Sequence, residues 1–104
     1  MSENNQYIEG LNEYSINFKQ GYNDTRFEDF DDVIFLDEPP VDYSSLSSIG
    51  YYDGYMYGIY LVKTFQTNNV HNLEAVIDKY HTQALKRQEN YIANHNNGSY
   101  TRKK

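Results

Sequence analysis

The stretch Leu46 to Gln66, LSSIGYYDGYMYGIYLVKTFQ, decides how this chain folds. Wound at about 100° per residue, it places Gly50, Gly54 and Gly58 on one stripe flanked by Leu46, Tyr57, Leu61 and Phe65. Ile49, Tyr52, Met56, Ile59 and Tyr60 cover the opposite side. A helix without a polar face is normally buried. Each glycine costs about 1 kcal/mol relative to alanine inside a helix, so three at a spacing of four point to something that approaches the backbone closely. Two partners satisfy that requirement: another helix of the same chain, or the same stripe on a second copy. Asp53 shares the apolar side with Ile49, Met56 and Tyr60, which predicts a buried carboxylate held by tyrosine hydroxyls or a backbone donor.

Working outward, the residues before this helix divide into two parts. Tyr7, Leu11, Tyr14 and Phe18 recur at spacings of four, three and four, predicting an amphipathic helix over residues 5–20 with Gly21 as its stop and Ile16 off the stripe. Residues 24–43 form an acidic arm. Between Asp24 and Asp42 lie eight acids and one base, Arg26, a balance of -7 that leaves +1 for the rest of a chain whose net charge is -6. Pro39-Pro40 forbid helix there, and Val33 to Leu36 is expected as a short strand or an extended segment docked on the core. Asp42, Ser44 and Ser45 are candidate caps for the central helix, predicted over 45–67.

After Thr67-Asn68-Asn69 a third helix is predicted over 70–95, capped by Asn68 or Asn69. Its apolar stripe is Val70, Leu73, Ile77, Tyr80, Ala84 and Tyr91, with Val76 beside it. Asn96-Asn97-Gly98 should end it, leaving residues 98–104 as a disordered tail. The short connection favours an antiparallel hairpin of the second and third helices. The expected fold is therefore all-α: one three-helix, bundle-like domain of 104 residues with an acidic arm between its first two helices. With 12 Tyr and 5 Phe and few Leu, Ile or Val, its core should be aromatic and polar at its edges.

The composition excludes several classes of function. Cysteine is absent, so there are no disulfides or thiolate metal sites. The long apolar region is interrupted by Asp53 and Lys63 and falls short of the roughly 20 apolar residues that span a bilayer. MSENNQ carries no basic segment followed by an apolar run, so a cytoplasmic location is expected. Lys86-Arg87 and Arg102-Lys103-Lys104 are too few bases for direct nucleic-acid binding. GYYDGYMYG lacks the Lys-Ser/Thr of a phosphate loop. His71, Glu74, Asp78 and His81 share one face of the third helix, but His71 to His81 spans about 15 Å, too far for one ion. That face is expected to be solvated, with no metal, no cofactor and no enzymatic role.

The acidic arm is the candidate site. Phe27, Phe30 and Phe35 alternate with Glu28, Asp29, Asp31, Asp32, Asp37 and Glu38, a pattern that a purely solvating run does not need. Rings anchor and charge steers, so these residues are expected to meet a partner protein with a basic surface, and Phe30 is the expected anchor.

In size, lack of cysteine, richness in Tyr and Asn, and clustered carboxylates at Glu28, Asp29, Asp31 and Asp32, the chain resembles the small acidic proteins that bacteriophages and mobile elements encode against host defence. Anti-CRISPR proteins and DNA-mimicking inhibitors are among them. The resemblance rests on no motif. It implies stoichiometric inhibition in the host cytoplasm, by occupying the nucleic-acid-binding surface of a larger protein. The alternative is a structural or assembly module, a helical homodimer joined through the glycine stripe or the third helix.

Overall fold

The computed structural model describes residues 2–102, with side chains over residues 11–94. Four helices follow in order: α1 (Ser2–Asn23), α2 (Phe30–Ile34), α3 (Leu46–Phe65) and α4 (Leu73–Arg102), and no strand occurs among the described residues. The all-α architecture expected from the hydrophobic patterning is present, with α3 in the middle of it.

The glycine stripe packs inside the chain. At Gly50 an added Cβ would lie 2.5 Å from the Tyr14 carbonyl oxygen, and at Gly54 it would lie 2.7 Å from the Phe18 carbonyl carbon. At Gly58 the obstacle is the side chain of Thr25. These pairs ascend together along both helices, so α1 and α3 run parallel, backbone against backbone. Within the chain, α1 occupies this stripe. Gly21 belongs to the same contact: its Cβ would meet the Tyr55 amide nitrogen at 2.8 Å. It was expected to stop α1, but the helix continues to Asn23. Close packing, which only a residue without a side chain permits, accounts for Gly21 better than termination does.

Parallel packing of α1 and α3 requires the intervening chain to travel back along the bundle, and the acidic arm makes that journey. Val33 of α2 is fully buried against Ile59 and Val62 near the end of α3. Farther along, the Tyr52 hydroxyl donates to Glu38 at 3.3 Å. Near the start of α3 the Ser48 hydroxyl accepts from the Asp42 amide at 2.7 Å. Of the candidate caps, Ser45 is the one that accepts from the Ser48 amide, while Asp42 folds a tight turn onto Ser44. Hydrogen bonds from the Ser44 hydroxyl and amide hold the Asp42 carboxyl below its ordinary range.

Residues 33–36 form no strand. Asp29 caps a single helical turn by accepting from the Asp31 amide at 3.0 Å, and Asp31 and Asp32 sit in its first turn, where the helix dipole favours negative charge. This local capping chemistry outweighs the β preference of Val33 and Ile34.

The antiparallel hairpin expected from the short connection is present, since Asp53 and Tyr57 of α3 face Arg87 and Tyr80 of α4. Its cap differs from expectation. Asn72, rather than Asn68 or Asn69, accepts from the Ala75 amide at 3.2 Å, so α4 starts at Leu73 and Val70 precedes it. At the far end α4 passes through Asn96-Asn97-Gly98 to Arg102, contrary to the expected stop and the tail that follows it. Asn and Gly cost at most about 1 kcal/mol each in a helix interior, which disfavours helix without forbidding it. Lys103 and Lys104, also placed in that tail, lie outside the described residues.

Tyr14, Phe18, Ile49, Ile77 and Ala84 make the main buried cluster. The predicted stripe of α1 is there, with Tyr22 extending it. Tyr7 lies outside the residues whose side chains are described, and Ile16 is exposed as expected. Rings replace aliphatic packing: Phe18 meets Tyr57 at 5.9 Å and the edge of Tyr80 at 5.8 Å. Pairs of this kind contribute about 0.5–1.5 kcal/mol beyond the area they bury. The polar edge expected of a tyrosine-rich core is also present. The Tyr22 hydroxyl donates to the Asn68 carbonyl and that of Tyr51 to Asp24 at 2.6 Å. The Asp24 carboxylate, as acceptor, pushes the Tyr51 phenol up to about 12.

Candidate acidic docking site

Nine arm residues were expected to form the site, and the structure divides them. Asp29 is spent on the α2 cap and Glu38 receives Tyr52. Glu28, Asp31, Asp32 and Asp37 are exposed, and their carboxylates make no hydrogen bond or ion pair among the described residues. Phe27 is partly exposed, while Phe35 is 80% exposed. Phe30 corrects the expectation: it is half-buried, packed on the Val33, Ile59 and Val62 cluster. The ring expected to anchor a partner instead fastens α2 to α3. On a single helical turn Phe30 and Val33, three apart, face the bundle, which leaves Phe35 beyond the turn facing outward.

Beside α2 lies a cleft of about 660 Å³ lined by Phe30, Asp31, Ile34, Val62, Lys63 and Gln66. Gln66 ends α3 in the left-handed region at φ 56° and donates its amide to the Val62 carbonyl at 3.0 Å, so the chain turns away and leaves the cleft open. No signal in the sequence reveals this cleft, because it forms where two elements distant in sequence are stapled together.

Asp53 stands apart from this face. It is 5% exposed and accepts from the Tyr14 hydroxyl at 2.5 Å, as a buried carboxylate among tyrosines should. Its second partner was not anticipated: Arg87 donates to the same oxygen at 2.5 Å. Arg87 lies three residues after Ala84 and four before Tyr91, on the apolar stripe of α4, and that position was its signal. Burial pulls the Arg87 guanidinium down, but the hydrogen bond and charge of Asp53 outweigh it and the net shift is upward. Burial, with Asp53 adding to it, raises the Tyr14 phenol. The arrangement is a structural tie across α1, α3 and α4.

The polar face expected on the third helix is also revised. His71 precedes α4, Glu74 pairs with Lys19 at 2.9 Å, Asp78 is exposed, and His81 is buried against the Tyr14 ring at 5.3 Å. His81 falls four after Ile77 and three before Ala84, so it shares the core side. No cluster of three metal-ligating residues occurs among the described residues. Burial lowers the His81 imidazole from its ordinary value, opposed by Asp78. The folded chain therefore favours neutral His81. Its contribution is complete above the unfolded value of about 6.5 and is lost as pH falls below it, because the unfolded chain takes up the proton first. Thermal melts at pH 7.5, 6 and 5 should show falling stability in the wild type and a shallower fall in His81→Leu. Parallel profiles would remove His81 as the cause.

No helix among the described residues is long and apolar enough to cross a membrane. Comparison with known protein families, curated proteins and solved structures returns no match, so the site is read from its own chemistry.

Proposed function

We propose that this protein is a non-enzymatic binding protein that seats its acidic, aromatic arm on a basic surface of a partner protein. In the setting that the resemblance implies, that surface is the nucleic-acid-binding site of a host defence protein, and occupying it inhibits the host protein. One observation carries the reading: Phe35 is 80% exposed beside carboxylates that have no partner among the described residues, on a segment already fixed to the bundle through buried Val33. An exposed ring on an ordered support binds without paying the cost of ordering a loop, and the surrounding charge accelerates encounter.

The test begins with capture of a partner from host lysate and its identification, followed by surface plasmon resonance on the purified pair. Phe35→Ala should raise the dissociation rate by about tenfold or more, as for a ring worth over 1.4 kcal/mol. The triple variant Asp29→Asn, Asp31→Asn, Asp32→Asn keeps the α2 cap, since Asn caps as well as Asp, yet should slow association and flatten its salt dependence. Glu74→Gln with Asp78→Asn should change neither rate. Competing nucleic acid should displace the protein from its partner. Unchanged rates in both arm variants would discard the reading.

Self-association through α4 is the second reading, favoured by Leu85 and Ile92, exposed and seven residues apart on one face of the helix. Sedimentation of wild type and Leu85→Glu would reveal it.

A further inference from the structure

We infer that the cleft between α2 and α3 is the receptacle for an arginine-bearing basic segment of the partner. This rests on the docking function proposed above and specifies the partner's chemistry. The walls are Phe30, Ile34 and Val62, an apolar surface against which the methylene stem of an arginine can lie. In the same lining Asp31 supplies a carboxylate with no partner among the described residues, and Gln66 supplies an amide oxygen. A guanidinium offers five donors in a planar fork and matches a carboxylate in two hydrogen bonds at once. The cleft volume of about 660 Å³ exceeds a single side chain and suits a short segment. The segment that supplies Asp31 is strongly acidic, with eight acids and one base between Asp24 and Asp42, and its exposed Glu28, Asp32 and Asp37 favour a cationic occupant.

Lys63 also lines the cleft and opposes a cation there, which gives the inference a sign that other occupants would not share. An apolar occupant would be indifferent to Lys63, and an acidic one would need it. For an arginine, removing the Lys63 charge should tighten binding.

The experiment is an NMR titration of the full-length, isotopically labelled protein with the peptide Ac-Ala-Arg-Ala-Arg-Ala-NH2. A second peptide carrying citrulline at both arginine positions serves as the neutral isostere. The arginine peptide should shift resonances of Phe30, Asp31, Ile34, Val62, Lys63 and Gln66. It should bind about tenfold or more tightly than the citrulline peptide, the ratio expected for a charge-assisted hydrogen bond. Asp31→Asn should cancel most of that ratio and Lys63→Gln should increase affinity. Shifts confined to Glu28, Asp32 and Asp37, equal binding of the two peptides, no binding, or weaker binding in Lys63→Gln would each overturn the arginine receptacle. None of these outcomes bears on the rates measured with the captured partner, so the docking function stands or falls separately.

Discussion

Gly54→Ala is expected to destabilise the protein by about 1–3 kcal/mol, and Gly54→Leu by more, because the added carbon meets backbone instead of a movable side chain. The Phe18 carbonyl carbon and Cα would lie 2.7 and 2.9 Å from the new Cβ, so α1 itself must move away. The sign makes the test sharp. In an ordinary helix interior Gly→Ala is favourable by about 1 kcal/mol, so the two accounts predict opposite changes in melting temperature. For a domain near this size each kcal/mol shifts the midpoint by about 4–8 °C. Gly58→Ala meets the Thr25 side chain instead, and adding Thr25→Ala should recover part of its loss. A Gly54→Ala protein that melts above the parent would disprove the close crossing.

Arg87→Met is the other large loss expected. It leaves the carboxylate of Asp53, 5% exposed, with the Tyr14 hydroxyl as its remaining partner among the described residues. Breaking a buried pair from one side costs about 3–5 kcal/mol. The Arg87 side chain is 35% exposed, and solvent screening there places the expectation at the lower end of that range. Asp53→Asn keeps an acceptor for Tyr14 while removing the charge, so the double variant Asp53→Asn, Arg87→Met should be more stable than Arg87→Met alone. Chemical denaturation of the four proteins in this cycle measures the coupling. A double variant no more stable than Arg87→Met would show that Arg87 acts through packing and not through charge.

Much of the architecture was legible in periodicity. The stripe through Tyr14 and Phe18 and the stripe through Ile77 and Ala84 correspond to buried surface, because burial is what imposes such spacing. The central helix is buried along Ile49, Asp53, Ile59, Leu61 and Val62, but its Tyr60 and Phe65 are exposed, so it is not enclosed on every side. The glycines of α3 showed close approach but not its partner, since a stripe of small residues is equally compatible with a neighbouring helix and a second copy. Gly21 looks like punctuation in the sequence because its packing role depends on Tyr51 and Tyr55, about thirty residues away. His81 lies on the apolar side of α4 although its polarity argues for the solvated face, and Arg87 lies on that side too, where its spacing from Ala84 and Tyr91 was the signal that it meets the core. At the arm, composition identified the acidic character and the aromatic residues. Which ring faces inward was decided by a single helical turn nucleated at Asp29, and a five-residue helix leaves almost no periodic trace.

The parallel pairing of α1 with α3 also gives the arm a role as a tether. Two parallel helices cannot be joined by a tight turn, so the chain between Asn23 and Leu46 sets the effective concentration at which α1 meets its groove on α3 and α4. Loop-closure entropy grows only logarithmically, by about 0.6 kcal/mol for each doubling of length. The residues between the docked Val33 and the Ser45 cap can therefore vary in length at little entropic cost, provided the packing of Leu36, Val41 and Tyr43 and the bonds made by Glu38 and Asp42 remain. The outward positions between those contacts are the ones free to diversify for recognition, and Phe35 and Asp37 are among them.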